Sequence, residues 1–583
     1  MFKDPELESS IRNQISTNEP AKLIERFATL TRESGTPDEH AAGEYIAERL
    51  RDLGVPVTVH RPDLFLSIPE RSEVIVNGAT MRSRPPAFAV STDGAEVTGE
   101  ICYVPSKYAG GTGDLFDTPS AASAQVASDP VAGRIVVTEG YSMPGTVLAF
   151  ERRGAIAQIF IHPGRDIHEG ICTSIWGAPT PESLPRKPHT PVVCVNQEDG
   201  QRLIALASSG RARAAVRTWL REGWAPCLVP VAEIRGAGDP DEFLLVHGHY
   251  DSWYVGIGDN ATGDATLLEL ARVLHGVRDR LKRSVRVAWW PGHSTGRYAG
   301  STWYADTFAD EIDEWCIGHL NIDSPGCRDA TAYEEVMWMA EAAALCTDAI
   351  GDAVGEPAKG MRPLRAGDYS FNQIGPTAFY MLLSNIPIEE RKRRGYYAVG
   401  GNGGSPTWHT PNDLPPVADL EILRRDLRVY LTTIVRVLNA PLHPYDYGAA
   451  MDEIAAAVAE YDARAGGEVD LSPIVGDLEQ LKQRFAAWRA GAERRAGGSP
   501  EARRAANAAL RRLARVLVPL GYARGERFDH DPAVKLPVVP RLEAANRVAT
   551  APAAERPFIR TALVRERNKI RAMLRSAARE LSE

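Results

Sequence analysis

From Pro226 onward the chain alternates short apolar runs with amphipathic segments, and this alternation limits the fold more than any other feature. Phe243–Val246 is an apolar run of the kind that is buried in a parallel sheet. A Gly/Asp/Asn loop follows it, and Ala261–Leu274 then places apolar residues on one helical face. Val285–Trp290 and Ile317–Ile322 repeat the pattern. Repeated strand, loop and helix predict an α/β sheet whose functional site lies at the carboxyl ends of the strands.

The rest of the chain has a different texture on each side of this region, and 583 residues are too many for a single hydrophobic core. A Pro- and Gly-rich stretch precedes it, in which we predict strands at Glu100–Val104, Gly133–Val137 and Thr190–Val195 and a helix at Thr146–Ala155. After residue 441 an Ala/Arg/Glu-rich sequence predicts helices, with breaks at Gly466-Gly467 and Gly497-Gly498. The texture therefore divides the chain into a β-rich region at about 71–223, an α/β region from about 224 and a helical region at 441–583.

Charge and composition exclude some classes of function. The formal net charge of -9 argues against a nucleic-acid-binding protein, which needs a basic face. The basic run Arg391–Arg394 is short and is expected to be a solvated loop. No uncharged apolar stretch of about 18 residues is present, so we expect no membrane span, and the N-terminal residues lack the apolar part of a secretory signal. Seven cysteines without a CxxC pair suit a reducing compartment, so we expect a cytoplasmic protein.

Polar side chains follow the predicted strands at the points where a site is expected. His249 and Asp251 come directly after the first strand, and Asp323 follows the third. Asp259 lies in the Gly/Asn loop that leads into the helix, and His409 lies in a Pro-containing loop. Two imidazoles and two carboxylates form a ligand set that suits zinc, while Asp251 can orient the His249 ring.

Each of these residues also has an ordinary structural explanation. An Asp in a Gly/Asn loop is usually a turn residue or a helix cap, which applies to Asp259. His409 can cap the turn that contains Pro411. We interpret His247, His275 and His319 as structural or surface histidines.

The order of these motifs resembles that of the M28 zinc metallopeptidases, within the branch of glutamate carboxypeptidase and the transferrin receptor. The matching stretches are HGHYDSW from His247, GDNATG from Gly258, GSTWYAD from Gly300, LNIDS from Leu320 and WHTPND from Trp408. The resemblance implies an α/β fold in which residues 1–70 and 224–440 form an M28-type catalytic domain with a mixed β-sheet between helices. It further implies that residues 71–223 are an inserted protease-associated apical domain, and that residues 441–583 are a helical dimerisation domain.

The same resemblance implies roles for the polar residues. Two divalent ions, most often zinc, would share Asp259 as a bridging ligand. His249 and Asp323 would complete one site, and His409 would bind the other ion. Asp251 would orient His249, and the peptide bond between Asp259 and Asn260 would be cis.

One segment departs from the family pattern. The family has two adjacent glutamates after the next strand, a general base followed by a metal ligand. Counting forward from Trp290 places His293 and Ser294 at these positions, and counting back from Gly300 places Ser294 and Thr295 there. Neither alignment supplies a carboxylate.

This departure leaves several possibilities for His293. It can serve as the missing third ligand of the second ion, since imidazole binds zinc well. It can instead be the general base, because an unperturbed histidine has a pKa of about 6.5, which is close to neutral pH. A third possibility is a single-metal site, and a fourth is a His293 that is inert.

We therefore predict a metal-dependent hydrolase of an amide or peptide bond that uses metal-activated water, with one or two zinc ions per chain. The expected substrate is a small molecule or a short peptide, and we expect a homodimer formed through the C-terminal helices. The alternatives are a metal enzyme that acts on a non-peptide substrate, such as a cyclic amide hydrolase or a lyase, and a non-catalytic binding protein like the transferrin receptor. A short list completes the predictions: Trp253, Tyr254, Tyr396, Tyr397 and Trp408 as pocket walls, and Gly367, Asp368 and Arg365 as substrate contacts.

Overall fold

The computed structural model describes residues 2–115, 131–210, 212–496 and 499–581. Its strands are β1 Val57–His60, β2 Asp63–Val76, β3 Ala79–Met81, β4 Ser83–Arg84, β5 Val97–Tyr103, β6 Ile135–Glu139, β7 Ala157–Ile161, β8 Val192–Val195, β9 Arg213–Pro226, β10 Val229–Ile234, β11 Asp239–His249, β12 Arg283–Trp290, β13 Cys316–Asn321, β14 Tyr333–Met337, β15 Ala358–Met361 and β16 Ala378–Phe379. Its α-helices are α1 Pro5–Asn13, α2 Asn18–Phe27, α3 Pro37–Asp52, α4 Pro144–Arg152, α5 Gln197–Ser208, α6 Thr262–Gly276, α7 Ala299–Thr307, α8 Ala309–Trp315, α9 Ala343–Val354, α10 Ile388–Arg393, α11 Leu420–Asn439, α12 Tyr447–Ala465, α13 Ser472–Ala496, α14 Pro500–Tyr522, α15 Ala545–Val548 and α16 Arg556–Glu580.

A six-stranded mixed sheet lies between two layers of helices. Its strand order is β1-β10-β12-β11-β13-β16, with β11 parallel to both β12 and β13. Leu244 and Val246 of β11 pack in the cluster that contains α1, α2, α6 and α11, whereas Phe243 and Leu245 pack against α7 and α8 on the other face. Burial on both faces explains the uninterrupted apolar run, and the predicted M28-like mixed α/β class is confirmed.

The carboxyl ends of three neighbouring strands meet at one edge of this sheet. His249 at the end of β11 is paired with Trp290 at the end of β12, and His247 is paired with Asn321 at the end of β13. The polar loops after these strands therefore start side by side, as the sequence pattern predicts.

An eight-stranded sheet forms the β-rich region. Its order is β3-β2-β9-β5-β6-β7-β8-β4, and α4 lies close to its predicted position. The long antiparallel pair β2 and β9 runs from the pairing of Asp63 with Pro226 to that of Val76 with Ala214. Because this pair is continuous, the sheet extends past both predicted limits of the region, 71 and 223.

Residues after 441 are helical in the described part of the chain, as predicted. Helix α12 ends at Gly466 in the left-handed conformation, which is the expected break, while Gly497-Gly498 lies outside the described residues. A buried ionic cluster joins these helices to the sheet, since Glu242 of β11 accepts hydrogen bonds from Arg283, His443 and Arg511.

The basic run Arg391–Arg394 is not a loop. Most of it belongs to helix α10, where Glu389 and Glu390 pair with basic residues three and four positions later. Most residues of the run are exposed to solvent, as expected. None of the described helices combines the length and the apolar character that a membrane span requires.

Candidate metal centre

The predicted ligands come together at the strand ends. Asp259 lies between two histidines: His249 Nε2 is 2.9 Å from its Oδ1 atom, and His409 Nε2 is 3.0 Å from its Oδ2 atom. Asp323 Oδ2 lies 3.8 Å from His249 Nε2. These residues come from different loops that are distant in sequence, so the arrangement depends on the fold.

The backbone sets the orientation of both imidazoles. His249 Nδ1 lies 3.0 Å from the carbonyl oxygen of Asp251, and His409 Nδ1 lies 2.9 Å from that of Glu169. A carbonyl can only accept, so each Nδ1 carries the hydrogen. In the neutral rings the Nε2 lone pairs therefore face the oxygens of Asp259, an arrangement that is repulsive unless a proton or a metal cation lies between them.

The buried atoms of the site support this requirement. Among the described residues, His249 Nε2 and Asp259 Oδ1 are buried without a hydrogen-bond partner in spite of their proximity. Burial lowers the pKa of His249, but the carboxylates of Asp251, Asp259 and Asp323 outweigh burial and raise it well above its usual value. The site thus has an excess of negative charge, and its oxygen and imidazole donors fit a divalent ion.

His293 belongs to the same cluster, on the side of His249 and Asp323. The ligand atoms of these three residues all lie within 4.8 Å of one another, and the His293 and His249 rings are stacked with centroids 3.7 Å apart. His293 Nδ1 lies 2.8 Å from Asp368 Oδ2. The Nδ1 hydrogen is therefore directed to Asp368, which leaves Nε2 as a lone-pair donor.

Asp251 contacts the loop that carries His293 and Ser294. Its carboxylate accepts hydrogen bonds from the backbone N–H groups of His293, at 3.1 Å, and Ser294, at 2.9 Å. Its Oδ1 atom is 3.5 Å from His249 Nδ1, farther than its own carbonyl oxygen. The orientation of His249 that we expected from the carboxylate thus comes mainly from the Asp251 backbone, while the carboxylate positions the His293 loop.

Two buried side chains hold the loops that carry the ligands. Asp413 accepts hydrogen bonds from the backbone of Gly258 at 2.7 Å and of Asp259 at 3.0 Å. Arg32 donates to the carbonyl oxygens of Tyr250, Val255 and Gly256. The loops on both sides of the site are therefore tied to buried polar groups.

The GDNATG motif has a steric basis as well. The peptide bond between Asp259 and Asn260 is cis, and the Asn260 side chain donates to the carbonyl oxygens of His249 and Ile322. A Cβ atom at Gly263 would lie 2.1 Å from Asn260 Oδ1, so this position requires glycine.

The β-rich region supplies one wall of the site. The backbone of Glu169 exchanges hydrogen bonds with His409, whose ring stacks on Trp408 at 3.7 Å. His168 lies between the Trp408 carbonyl oxygen, at 2.6 Å from Nδ1, and the Tyr397 hydroxyl, at 2.9 Å from Nε2. The loop that carries His409 is thus held by residues about 240 positions earlier in the chain.

A cleft opens over Asp259, Asp323, His293 and His409. Trp408 and Gly367 line it, as predicted. The other residues that we expected to contact substrate are not among the described lining residues of the cleft. Trp253 packs with Ala87 and Phe88, and Tyr396 lies against Arg394. Tyr254 donates a hydrogen bond to Glu169, the Tyr397 hydroxyl bonds to His168, and Asp368 bonds to His293. Arg365 is also not among the described lining residues, because it stacks on Trp176 and donates to the Asp531 carbonyl oxygen.

Several residues of the site were not recognised from the sequence. Arg32, His168, Glu169 and Arg297 lie outside the motifs, and nothing in their local sequence marks them. Asp413 lies in the WHTPND stretch, and its place four residues after His409 was the available signal. His247 and His319 bond to each other at 3.1 Å in the interior, which agrees with a structural role.

Comparison with known proteins bears on the same part of the chain. Residues 231–433 match the model of peptidase family M28. Aminopeptidase NAALADL1 of Mus musculus is 33% identical over 102 residues, which are 17% of this chain and 14% of that protein. Leucine aminopeptidase 2 of Trichophyton equinum is 32% identical over 143 residues, 24% of this chain and 28% of that protein. The chain thus matches less than a third of the length of either relative.

Solved structures share the fold over a longer range. The aminopeptidase from Aneurinibacillus sp. strain AM-1 has a TM-score of 0.53 at 18% identity, covering 74% of this chain and 95% of that one. BSAP, a zinc aminopeptidase from Bacillus subtilis, has a TM-score of 0.51 at 18% identity, covering 72% and 94%. The region that carries the site is therefore similar in sequence to peptidase family M28, and about three quarters of the chain shares the fold of these aminopeptidases.

Proposed function

We propose that this protein is a metal-dependent hydrolase of peptide bonds in short peptides. The observation that carries the proposal is the position of Asp259, whose two carboxylate oxygens each face the Nε2 atom of a backbone-oriented histidine. The similarity of residues 231–433 to family M28 and the aminopeptidases among the relatives support the same chemistry.

The metal would be held by side chains from both halves of the site. We assign Asp259 as the shared ligand, His249 and Asp323 as ligands of one ion, and His409 as the ligand of a second. A zinc ion supplies Lewis-acid activation of the scissile carbonyl and of the attacking water when it is bound. Three protein ligands with an open position are the usual composition of a catalytic zinc site.

We assign His293 as the general base. Its Nδ1 hydrogen is directed to Asp368, so Nε2 can accept a proton from water in the cleft, and the carboxylate of Asp368 then stabilises the imidazolium. Ser294 is buried and has no carboxylate, so the residue that stands in the second glutamate position cannot replace a carboxylate ligand. A base at His293 accounts for catalysis without the family's glutamate.

Activity and metal content of variants test this assignment together. The zinc-loaded protein is assayed with aminoacyl, dipeptide and acyl-amino-acid substrates, and with cyclic amides as the non-peptide alternative. We expect hydrolysis of one or more peptide substrates, loss of metal in Asp259→Ala, and retention of metal with at least about a 10²-fold lower kcat in His293→Ala. Hydrolysis of cyclic amides alone would contradict the peptide assignment.

The two possible roles of His293 give opposite results in the same experiment. If His293→Ala loses an ion that the unchanged protein binds, His293 is a ligand and the base assignment is wrong. The exposed His189→Gln variant is the control for loss of an imidazole, and it should retain both metal and activity.

The finer classification is part of the same proposal. We assign the chain to the glutamate carboxypeptidase and transferrin receptor branch, residues 71–223 to a protease-associated domain, and a homodimer to the C-terminal helices. Phe558 at the start of α16 is 78% exposed, which suits an apolar contact with a second subunit. Light scattering after gel filtration is expected to give twice the chain mass, and Phe558→Asp to reduce it.

A further inference from the structure

The wall of the cleft contains a buried arginine that has no carboxylate partner among the described residues. Arg297 is 4% exposed and is one of the residues that line the cleft beside His293, Asp259 and Asp323. Its Nε atom is buried without a hydrogen-bond partner. Its guanidinium lies over the Tyr298 ring, and no carboxylate among the described residues lies within ion-pair distance of it. A buried guanidinium is unfavourable unless another group compensates its charge.

The other buried arginines show how this chain normally meets that requirement. Arg283 and Arg511 pair with Glu242, and Arg436 pairs with Glu8 and Asp352. Arg32 and Arg365 donate to backbone carbonyl oxygens. Among the buried arginines of the described ranges, Arg297 is therefore the exception, and it is the one that lines the cleft.

The position of Arg297 relative to the site is set by its neighbour Tyr298. The guanidinium carbon of Arg297 lies 4.9 Å from the centroid of the Tyr298 ring. The centroid of the His293 ring lies 4.9 Å from the same point. The guanidinium carbon of Arg297 and the centroid of the His293 ring are therefore no more than twice this distance apart. The Arg297 carbonyl oxygen also accepts a hydrogen bond from Gly177 at 2.7 Å, which holds the loop in place.

We propose that Arg297 binds a carboxylate of the substrate, so that the substrate class is dipeptides and N-acyl amino acids with a free carboxyl group. A guanidinium binds a carboxylate through two parallel hydrogen bonds, which would compensate the buried charge. One extended residue spans at most about 3.3–3.6 Å, so the distance limit leaves room for at most about two residues between a bond beside His293 and a carboxylate on Arg297. A phosphate dianion fits less well, since Asp259 and Asp323 line the same cleft.

This inference rests on the proposed function for the bond that is cleaved, but Arg297 can be tested separately. The zinc-loaded full chain is assayed with alanyl-leucine and with alanyl-leucinamide, which lacks the carboxylate charge. We expect kcat/KM to be at least about tenfold higher for the free acid, which corresponds to one charge-assisted contact. Arg297→Met should lose this preference, and Arg297→Lys should retain part of it.

Arg165→Gln is the matched control, because Arg165 is an exposed arginine on the loop that leads to His168. It should keep the preference for the free acid. An equal kcat/KM for the two probes in the unchanged protein, or an unchanged preference in Arg297→Met, would overturn the proposal.

Calorimetric binding of the same two probes distinguishes the two proposals if neither is hydrolysed. Tighter binding of the free acid that Arg297→Met abolishes would support the carboxylate site and contradict the hydrolase. Equal binding of both probes would overturn the carboxylate site.

Thermal unfolding without ligand gives an independent readout. Arg297→Met removes a buried charge that has no carboxylate partner, so this variant should unfold at an equal or higher temperature than the unchanged protein. A lower unfolding temperature in both Arg297 variants would indicate a structural role and contradict the proposal.

Discussion

The Nδ1 atom of His293 lies 2.8 Å from Oδ2 of Asp368, and Oδ1 of the same carboxylate accepts a 2.6 Å hydrogen bond from Ser301 Oγ. Asp368 is fully buried, so its orientation is set by these contacts. The pair keeps the His293 hydrogen on Nδ1 and turns Nε2 toward the metal ligands. His293 is thus paired with a buried carboxylate.

Asp368→Asn should lower kcat by about 10²-fold, because the neutral amide stabilises a protonated His293 poorly. Metal content should stay the same, since Asp368 acts through His293. The pH dependence of kcat is the second readout: it should change in Asp368→Asn and stay as in the unchanged protein in the exposed control His189→Gln. An unaltered kcat and pH profile in Asp368→Asn would show that the pair has no role in proton transfer.

Asp413→Asn should weaken metal binding or activity by about 10–100-fold, as is typical when a group that orients ligands is changed. Asp413 holds the backbone N–H groups of Gly258 and Asp259, and an amide cannot accept both hydrogen bonds equally well. Competition with a chromogenic chelator measures the zinc affinity. A value equal to that of the unchanged protein would mean that the Asp259 loop keeps its position without this carboxylate.

Gly177→Ala should destabilise the contact between the β-rich region and helix α7. Gly177 has φ of +62°, and a Cβ atom there would lie 2.2 Å from Thr302 Oγ1. We expect a loss of about 1–3 kcal/mol in the free energy of unfolding, measured by urea denaturation. Gly133→Ala is the control, because Gly133 has φ of +73° with nothing within 4 Å of its Cβ position. Equal losses in the two variants would mean that backbone strain alone, and not the contact with Thr302, sets the cost.

The buried cluster around Glu242 should make stability depend on pH. Burial lowers the pKa of His443 to about 4, below the value of about 6.5 in an unfolded chain. The contribution of His443 to stability is therefore fully present above pH 6.5 and is lost as the pH falls toward 4. Between pH 7 and pH 5 we expect this group to remove about 2 kcal/mol.

His443→Gln should remove that part of the pH dependence, since glutamine can donate to Glu242 but does not titrate. The midpoint of urea unfolding at pH 7 and pH 5 measures it, and His189→Gln is the exposed control. The prediction fails if His443→Gln and the unchanged protein lose equal stability on acidification.

The sheet and the proximity of His249 to Asp323 could be predicted from the sequence because both follow local rules. Apolar runs such as Phe243–Val246 identify buried strands, and polar residues after neighbouring parallel strands meet at one edge, which brings His249 and Asp323 together. The loop motifs that contain Asp259 and His409 were recognised by their resemblance to a family.

The contacts around His293, His409 and Arg297 could not be predicted in this way. Asp368 is 75 residues from His293 and was expected to touch substrate, and Glu169 is 240 residues from His409. Arg297 occupies a loop with no motif, and its lack of a partner is visible only once the surrounding side chains are placed. Such pairings depend on how separate loops pack, which periodicity and motif spacing do not encode.

Anomalous diffraction at the zinc absorption edge from crystals of the zinc-loaded protein tests the central claim most directly. We expect a peak about 2.0–2.2 Å from His249 Nε2 and from carboxylate oxygens of Asp259 and Asp323, with His293 Nε2 outside bonding distance. A second peak between Asp259 and His409 would complete the assigned pair. The absence of any peak among His249, Asp259 and Asp323 in crystals grown with excess zinc would contradict the metal centre and the hydrolase built on it.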